Sequence, residues 1–356
     1  MKNLIFSVTT LLLLTACGLP KIEQRKENNT TPFAYTNVND SGEAVIPNWK
    51  TYFSDSSLIA LIDTALIKNQ ELLLFNQELE MRKNEIQSRK GEYLPFVSLN
   101  AGSGMEKEGL YTRKGAIDEQ LEIKPGEKFP KPFTDYMFSA SASWEVDIWK
   151  KLRSAKKSAV MKFMAGKEGR NLLVTNLVAE IASGYYELLA LDNLLTIVEQ
   201  NIEIQNNAFQ VISKQKEAGR VTQLAVNRFE AQLLNTKNLK FELLQKRVET
   251  ENRLNFLTGR FPSTIPRAKI ELIEYSLSGL RLGVPAQLLR NRPDIRQFEF
   301  DLKASHLDVQ VARTRFLPSI RITAGLGYQA FRPELLLNPY SLLYNLGGDL
   351  ISPLIN

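Results

Sequence analysis

The feature that most constrains this chain is a stretch without proline between residues 150 and 257. Apolar residues between 177 and 202 recur at steps of three and four, which is the spacing of a seam along one side of a helix. Gly219 can adopt the left-handed conformation that ends a helix, and Thr222 can cap a second one. The pattern therefore predicts a helical hairpin over about 150–258. Its first arm would be roughly 100 Å long if straight, so it must pack against other long helices.

Two segments alternate between apolar and polar residues with a period of two, which is the pattern of a strand with one apolar and one polar face. They predict strands at about 96–104 and about 137–147. A glycine- and charge-rich loop joins them, so we expect an antiparallel pair. The apolar face of the second strand carries Phe138 and Trp144. Its polar face carries Ser139, Ser141, Ser143, Glu145 and Asp147.

Residues 71–104 match residues 294–327 at a constant offset, with a helix, a Leu-Pro break and an alternating strand in the same order. Such self-similarity indicates two tandem structural repeats. The first copy continues into the helical hairpin, whereas the second ends before any counterpart of it. We therefore expect about 110–130 residues to be missing from this sequence.

These patterns, together with the N-terminal motif at 14–17, divide the chain into four segments. They are a lipoprotein signal peptide at 1–16, a lipid-anchored tether at 17–55, a first repeat at 56–262 and an incomplete second repeat at 263–356. The first repeat comprises a helix over 56–92, the two strands and the hairpin. The second comprises a helix at about 293–316 and strands at about 319–328 and 343–352.

The N-terminus has the pattern of a secretion signal. An apolar run over residues 4–14 follows Lys2, and it is too short to span a bilayer. Its last residue begins the sequence LTAC at 14–17, which has the pattern of a bacterial lipobox. The cysteine of a lipobox is lipidated, and here that residue is Cys17. The alternatives are an ordinary secretion signal and a buried thiol. Gly18 follows instead of Asp, which favours the outer membrane, whose lipid the acylated Cys17 would enter.

The composition excludes most kinds of catalytic and metal site. One Cys and one His allow neither an intramolecular disulfide nor the usual zinc sites within one copy. The net charge of +6 is spread along the chain, which argues against nucleic acid as a partner. His306 is expected to be a surface or packing residue, and residues 292–296 a helix start and not a catalytic cluster. No cofactor, metal or enzymatic activity is predicted.

Four amphipathic strands in one chain cannot close a barrel, because about eight strands are the practical minimum. Open strand edges are not tolerated in lipid, so the barrel must be shared between copies. Three copies of four strands would give a twelve-stranded barrel with the apolar face toward lipid and the polar face lining a water-filled lumen. Glu145 and Asp147 would either bias that lumen toward cations or only keep it wet. The alternative architecture is a soluble sandwich with helices.

Several segments carry a family resemblance. They are LTAC at 14–17, SASWEVDIWKKLR at 141–153, ENRLNFLTGRFP at 251–262, GVP at 283–285, LLRNRPDIR at 288–296 and RFLPSI at 315–320. With them the chain resembles the TolC-like outer-membrane efflux proteins, in particular the NodT-like lipoprotein outer-membrane factors of RND-type tripartite pumps. The resemblance implies a mixed α and β membrane protein, a homotrimer with an outer-membrane β-barrel and a long periplasmic α-helical barrel. It also implies export of drugs, metals or other small molecules, with a periplasmic membrane-fusion adaptor and an inner-membrane RND-type transporter.

By the same resemblance, the tip of the hairpin is the candidate surface for contact with the adaptor. Its residues are Gly219, Arg220, Val221, Thr222 and Leu224. The alternative is a plain helix-capping turn. The family often has Asp where this chain has Ala225, so the gating contact of that Asp is not expected here. Without a second hairpin, the helical ring is not expected to close in the family's usual way.

The leading functional hypothesis is a passive export duct from the periplasm to the outside. One alternative is a lipid-anchored helical scaffold or adhesin without a pore. Another is the outer-membrane duct of a type I protein secretion system. The exported substrate would be set by the inner-membrane partner, so the sequence does not predict it.

Overall fold

The computed structural model describes residues 31–32, 48–267 and 285–352. Within these ranges the chain forms two compact units. The first unit contains residues 82–163 and 300–352, and the second contains residues 31–32, 48–81, 164–267 and 285–299. The predicted signal peptide and Cys17 lie outside the described residues, as does most of the predicted tether.

The described residues form eight α-helices and six strands, which are numbered in chain order. The helices are α1 (Trp49–Tyr52), α2 (Ser56–Lys68), α3 (Gln70–Tyr93), α4 (Arg113–Gln120), α5 (Lys151–Glu217), α6 (Gln223–Leu257), α7 (Pro285–Asn291) and α8 (Pro293–Thr314). The strands are β1 (Phe96–Glu106), β2 (Glu122–Lys124), β3 (Glu127–Lys128), β4 (Phe133–Val146), β5 (Ser319–Ala330) and β6 (Leu342–Ile351).

The first unit is built around a four-stranded antiparallel sheet in the order β1-β4-β5-β6. β1 and β4 are the pair that the alternating segments predicted, and β4 begins four residues before the predicted start at about 137. β1 and β6 lie at the two edges, and each leaves one side of its backbone unpaired among the described residues. The sheet is therefore open within a single chain.

The connection between β1 and β4 was expected to be an irregular loop, but it contains regular structure. Helix α4 is capped by the Thr112 side chain, whose hydroxyl accepts a hydrogen bond from the Gly115 amide at 3.1 Å. β2 and β3 form a small two-stranded ribbon after it. Gly115 packs so closely on the backbone of Gly109 that a side chain there would collide with it.

The helix predicted over 56–92 is interrupted at Asn69, so the prediction of one continuous helix is wrong. The Asn69 side chain accepts a hydrogen bond from the Leu72 amide at 2.9 Å and donates one to the Leu257 carbonyl at 2.9 Å. The side-chain oxygen of Asn69 therefore caps the N-terminus of α3, and its side-chain nitrogen binds a carbonyl in the last turn of α6. A periodicity argument misses this break because the apolar spacing continues across it.

The second unit has a buried apolar core in which α2 packs against α5 and α6. Its members are Leu58, Leu61, Ile62, Ala65, Leu177, Val178, Ile181, Ala182, Tyr185, Leu188, Leu189, Leu254, Leu257 and Ile265. The Tyr185 hydroxyl donates a hydrogen bond to Asp55 at 2.6 Å. Asp55 also caps α2 by accepting the Ser57 amide at 2.7 Å. The Asp55 carboxylate therefore accepts the hydrogen bond of the buried Tyr185 hydroxyl and also caps the N-terminus of α2.

The segment that follows α6 returns along the hairpin and is held there by an ion-pair network. The Arg267 guanidinium binds Asp192 on α5 and Glu251 on α6. The Arg267 pKa is raised, first by the hydrogen bond to Asp192, against the opposing effect of burial. Within residues 48–267 and 285–352, no helix combines the length and the apolar character needed to cross a membrane.

Candidate functional site

The register of the four-stranded sheet divides its residues into two faces, because directly opposed residues of antiparallel strands point to the same side. Ser98, Ser141 and Gly325 lie opposite one another, as do Leu99, Ala140 and Leu326. We call the face of Ser141 the polar face and the face of Ala140 the apolar face. The helix end of the sheet is where β1 begins and β4 ends, and the loop end is the opposite one.

The apolar face carries no charged residue in any of the four strands. Many of its large side chains are exposed, with Leu346 on β6 at 80% and Leu99, Tyr344 and Leu326 exposed as well, while others such as Trp144 are half-buried. Near the helix end, the Trp144 indole donates a hydrogen bond to the Tyr93 carbonyl at 3.1 Å. An exposed apolar face without charged residues is suited to an apolar environment such as lipid.

The polar face contains the predicted residues Ser139, Ser141, Ser143 and Glu145. The Ser141 hydroxyl is 2.7 Å from the Ser98 hydroxyl and accepts a hydrogen bond from Asn100 at 3.2 Å. Glycines lie beside these serines on β5. A Cβ on Gly327 would collide with Ser139, and one on Gly325 would collide with the Asn345 side chain. The middle of this face is therefore formed by small, uncharged polar residues.

Charged residues on the polar face are confined to its two ends. Glu106 and Asp135 lie at the loop end, and Glu145, Arg321 and Asp349 lie at the helix end. Glu145 is opposite Arg321, which in turn is opposite Asp349. Lys151, the first residue of α5, forms an ion pair with Glu145. Sequence reasoning missed Arg321 and Asp349, although extending the period-two alternation along β5 and β6 would have placed both on this face.

Asp147 does not line the polar face, so that prediction is corrected. β4 ends at Val146, and the Asp147 side chain is 1% exposed. Its carboxylate accepts hydrogen bonds from the Leu152 amide at 2.9 Å, the Arg153 amide at 3.0 Å and the Arg153 guanidinium at 3.0 Å. Burial raises the Asp147 pKa, but the amides and then the guanidinium outweigh it, and the pKa is lowered overall. Asp147 caps the start of α5 and is not available to a solute.

The hairpin tip has the geometry of a glycine-terminated helix. Gly219 has a φ of 69°, and the amide of Arg220 donates to the Gln215 carbonyl at 2.9 Å. Thr222 occupies the capping position of α6, but its side chain makes no capping hydrogen bond, contrary to the expectation. Leu224 is 78% exposed. Gly219, Arg220 and Thr222 are exposed as well, and Val221 is half-buried, so four of the five predicted residues form the turn and Leu224 lies in the first turn of α6.

The other residues singled out in the sequence have structural roles. Arg292 forms an ion pair with Asp294 at the start of α8, and the guanidinium lowers the pKa of that carboxyl. This is the helix start expected from the sequence. His306 is an exposed residue on α8. In the part of the chain that the structure describes, no group of three or more His, Cys, Asp or Glu side chains could hold a metal ion.

Residues 61–260 match the protein family described as outer membrane efflux protein. The pyoverdine export outer membrane protein OpmQ of Pseudomonas aeruginosa is 27% identical over the whole of this chain, which spans 73% of OpmQ. The toluene efflux pump outer membrane protein TtgF of Pseudomonas putida is 27% identical over 79% of this chain, and the match spans 56% of TtgF.

Solved structures with the same fold include outer-membrane channels. The Campylobacter jejuni CmeC channel has a TM-score of 0.79 at 19% identity, over 95% of this chain and 71% of CmeC. The open state of the Neisseria gonorrhoeae MtrE channel has a TM-score of 0.76 at 23% identity, over 94% of this chain and 72% of MtrE. The mixed helix-and-strand, TolC-like fold predicted from the sequence is confirmed.

Proposed function

This chain belongs to the outer membrane efflux protein family, and on that premise we propose that it forms the outer-membrane duct of a tripartite efflux pump. The family is one of efflux ducts and not of enzymes. The observation that carries the proposal is the sheet with an uncharged apolar face and a polar face of small residues. Such a sheet has one side suited to lipid and the other suited to a water-filled passage.

The open edges of the sheet support assembly of three copies. β1 and β6 run antiparallel to each other across the sheet, so β6 of one copy can pair with β1 of the next without breaking the antiparallel pattern. Closure removes the unpaired backbone groups, which are costly in hydrocarbon. Four strands per chain then make a twelve-stranded barrel, a number within the range of outer-membrane barrels. The strand count alone also allows two or four copies, and three copies are proposed because the outer membrane efflux proteins trimerise.

In this proposal the loop end of the sheet faces the outside and the long helices extend into the periplasm. Cys17 carries the lipid, which adds a second attachment to the outer membrane. The proposal of lipidation rests on the LTAC pattern at 14–17. Mass spectrometry of the mature N-terminal peptide tests it: an acylated Cys17 supports the anchor, and an unmodified mature N-terminus at another residue contradicts it.

The hairpin tip is proposed as the surface that meets a periplasmic adaptor, which links the duct to an inner-membrane RND-type transporter. Gly219, Arg220 and Thr222 are exposed, and Leu224 adds an exposed apolar side chain. Site-specific crosslinking from Leu224 to the adaptor is the direct test. Crosslinks that arise instead from a position on the apolar face of the sheet would contradict the assignment.

The cargo is proposed to be small organic molecules. Relatives are named for pyoverdine export and toluene efflux. The uncharged middle of the polar face is compatible with solutes of varied chemistry, because it offers hydrogen-bonding groups and few fixed charges. The duct contributes passage only, and no chemical step is assigned to it.

Conductance in planar lipid bilayers tests the proposed function. The protein, purified from membranes as an assembled oligomer, is expected to open a steady ion-conducting path. An oligomer of the expected size that inserts without conducting would contradict the duct and favour the pore-free scaffold. Its oligomeric state is measured on the same sample by mass determination in detergent, so that failed assembly is recognised separately.

A further inference from the structure

Arg321 is the only positively charged residue on the polar face of β1, β4, β5 and β6. It is exposed, and it has no ion-pair partner within 4.0 Å among the residues that the structure describes. Its neighbours across the sheet are the carboxylates of Glu145 on β4 and Asp349 on β6. The three residues form a row at the helix end of the polar face, which we call the charged row.

The carboxylates of the charged row are not equivalent. Glu145 is already neutralised by Lys151, through an ion pair between half-buried side chains. Asp349 is exposed and has no such partner in the described residues. Arg321 therefore supplies the positive charge that balances Asp349. With Arg321 the row and Lys151 sum to zero, and without it they carry one negative charge per copy.

The charged row stands out because the middle of the polar face carries no charge. From Ser143 to Met137 along β4, the face presents serine, asparagine, glutamine, threonine, glycine and a few apolar residues, with no charge on any strand. At the loop end, Glu106 forms an ion pair with Lys114 at 3.0 Å, and Asp135 accepts hydrogen bonds from Gln329. Lys114 and Lys151 at the two ends of this surface are held in ion pairs, so the only unpaired positive charge on the described strands of this face is that of Arg321.

We infer that Arg321 is the residue that sets the ion selectivity of the duct, by balancing Asp349 in a charged row at the helix end of the lumen. The inference rests on the proposed function, since it requires the polar face to line a conducting passage. Fixed charges on a pore wall determine which sign of ion is enriched beside them. The wild-type duct should therefore discriminate weakly between cations and anions, and the balance should depend on this one guanidinium.

The test is the reversal potential across a planar bilayer under a KCl gradient. In Arg321→Gln we expect the ratio of potassium to chloride permeability to rise roughly two- to five-fold, because the unbalanced carboxylates enrich cations. Asp349→Asn should shift the ratio in the opposite direction. The difference between wild type and Arg321→Gln should shrink at about 1 M salt, where the screening length falls to about 3 Å.

Two matched variants separate charge from structure. Arg321→Lys keeps the charge and should keep the wild-type ratio. Arg332→Gln removes an arginine that follows β5 at the loop end, outside the charged row, and should leave the ratio within the error of the wild type. Equal shifts in Arg321→Gln and Arg332→Gln would overturn the inference, and so would a conducting Arg321→Gln with an unchanged ratio. Absence of conductance in the wild type would instead contradict the proposed function.

Discussion

The helical core and the four-stranded sheet obtain their stability in different ways. In the second unit, α2, α5 and α6 enclose apolar side chains that are fully buried within one chain, among them Leu188 and Leu254. In the sheet, side chains of the same kind are exposed, as Leu346 and Leu326 show. Burial of apolar surface stabilises the helical core within one chain. In the proposed barrel, the sheet would instead be stabilised by lipid and by strands of neighbouring copies. Leucine is therefore a buried core residue in one region and an exposed surface residue in the other.

The largest expected effect is in the helical core. Leu254→Ala removes a fully buried side chain that packs against Gly184, and should lower the free energy of unfolding by about 2–5 kcal/mol. Leu224→Ala, at the exposed hairpin tip, is the control and should change it by less than about 0.5 kcal/mol. Both are measured by chemical denaturation monitored through helical circular dichroism. Similar losses in the two variants would contradict a core confined to the buried cluster.

The next effect distinguishes the two faces of the sheet at adjacent residues. Leu346→Arg places a charge on the apolar face and should destabilise the inserted protein by about 2–4 kcal/mol near the bilayer midplane. Asn345→Arg places the same side chain on the polar face, where water solvates it, and should be tolerated much better. The amount of heat-resistant oligomer in outer-membrane fractions measures both. Equal loss in both variants would contradict the assignment of the faces.

Sequence patterns predicted the regular parts of the fold because one periodicity governed each of them. The seam of α5 and the alternation of β4 each follow from a single rule about which side of the element is apolar. The break at Asn69 and the helix α4 depend instead on single side chains and on close backbone approach. Such contacts join residues far apart in the chain, as Asn69 and Leu257 do, and no local pattern contains them.

The candidate site was predictable in part for the same reason. Ser139, Ser141, Ser143 and Glu145 follow from the alternation of one strand, and they share a face. Asp147 continued that alternation in the sequence but lies beyond the end of β4. There its carboxylate accepts hydrogen bonds from two backbone amides in the first turn of α5. The balance of Glu145, Arg321 and Asp349 needs the register of three strands. The sequence alone does not specify that register.

The third effect concerns this cap between the sheet and its following helix. Asp147→Asn should lower the free energy of unfolding by about 1–2 kcal/mol near neutral pH, because the amide replaces a charged acceptor at a helix start. Arg153→Gln keeps the two backbone hydrogen bonds to Asp147 and should cost less. Denaturation of the three proteins at pH 7 tests this order. A greater loss in Arg153→Gln would make the guanidinium, and not the cap, the main contributor.

The same cap predicts the sign of a pH dependence. The Asp147 pKa is lowered in the folded protein, so its contribution is fully present above the unfolded value of about 3.9. The contribution is lost as the pH falls from there through the lowered folded pKa. Denaturation midpoints of the wild type should therefore fall more steeply than those of Asp147→Asn as the pH decreases below about 4. Parallel pH profiles would contradict the link between this carboxylate and stability.

The smallest effect compares two glycines that both have open space where a side chain would project. Gly219 has a positive φ, so Gly219→Ala should destabilise the hairpin tip by about 1 kcal/mol. Gly91 lies inside α3 with no positive φ, so Gly91→Ala should stabilise the protein by up to about 1 kcal/mol through helix propensity. Opposite shifts in the denaturation midpoint are expected from the same substitution. Because neither new methyl group meets a neighbour, shifts of the same sign would mean that backbone conformation does not control the tip.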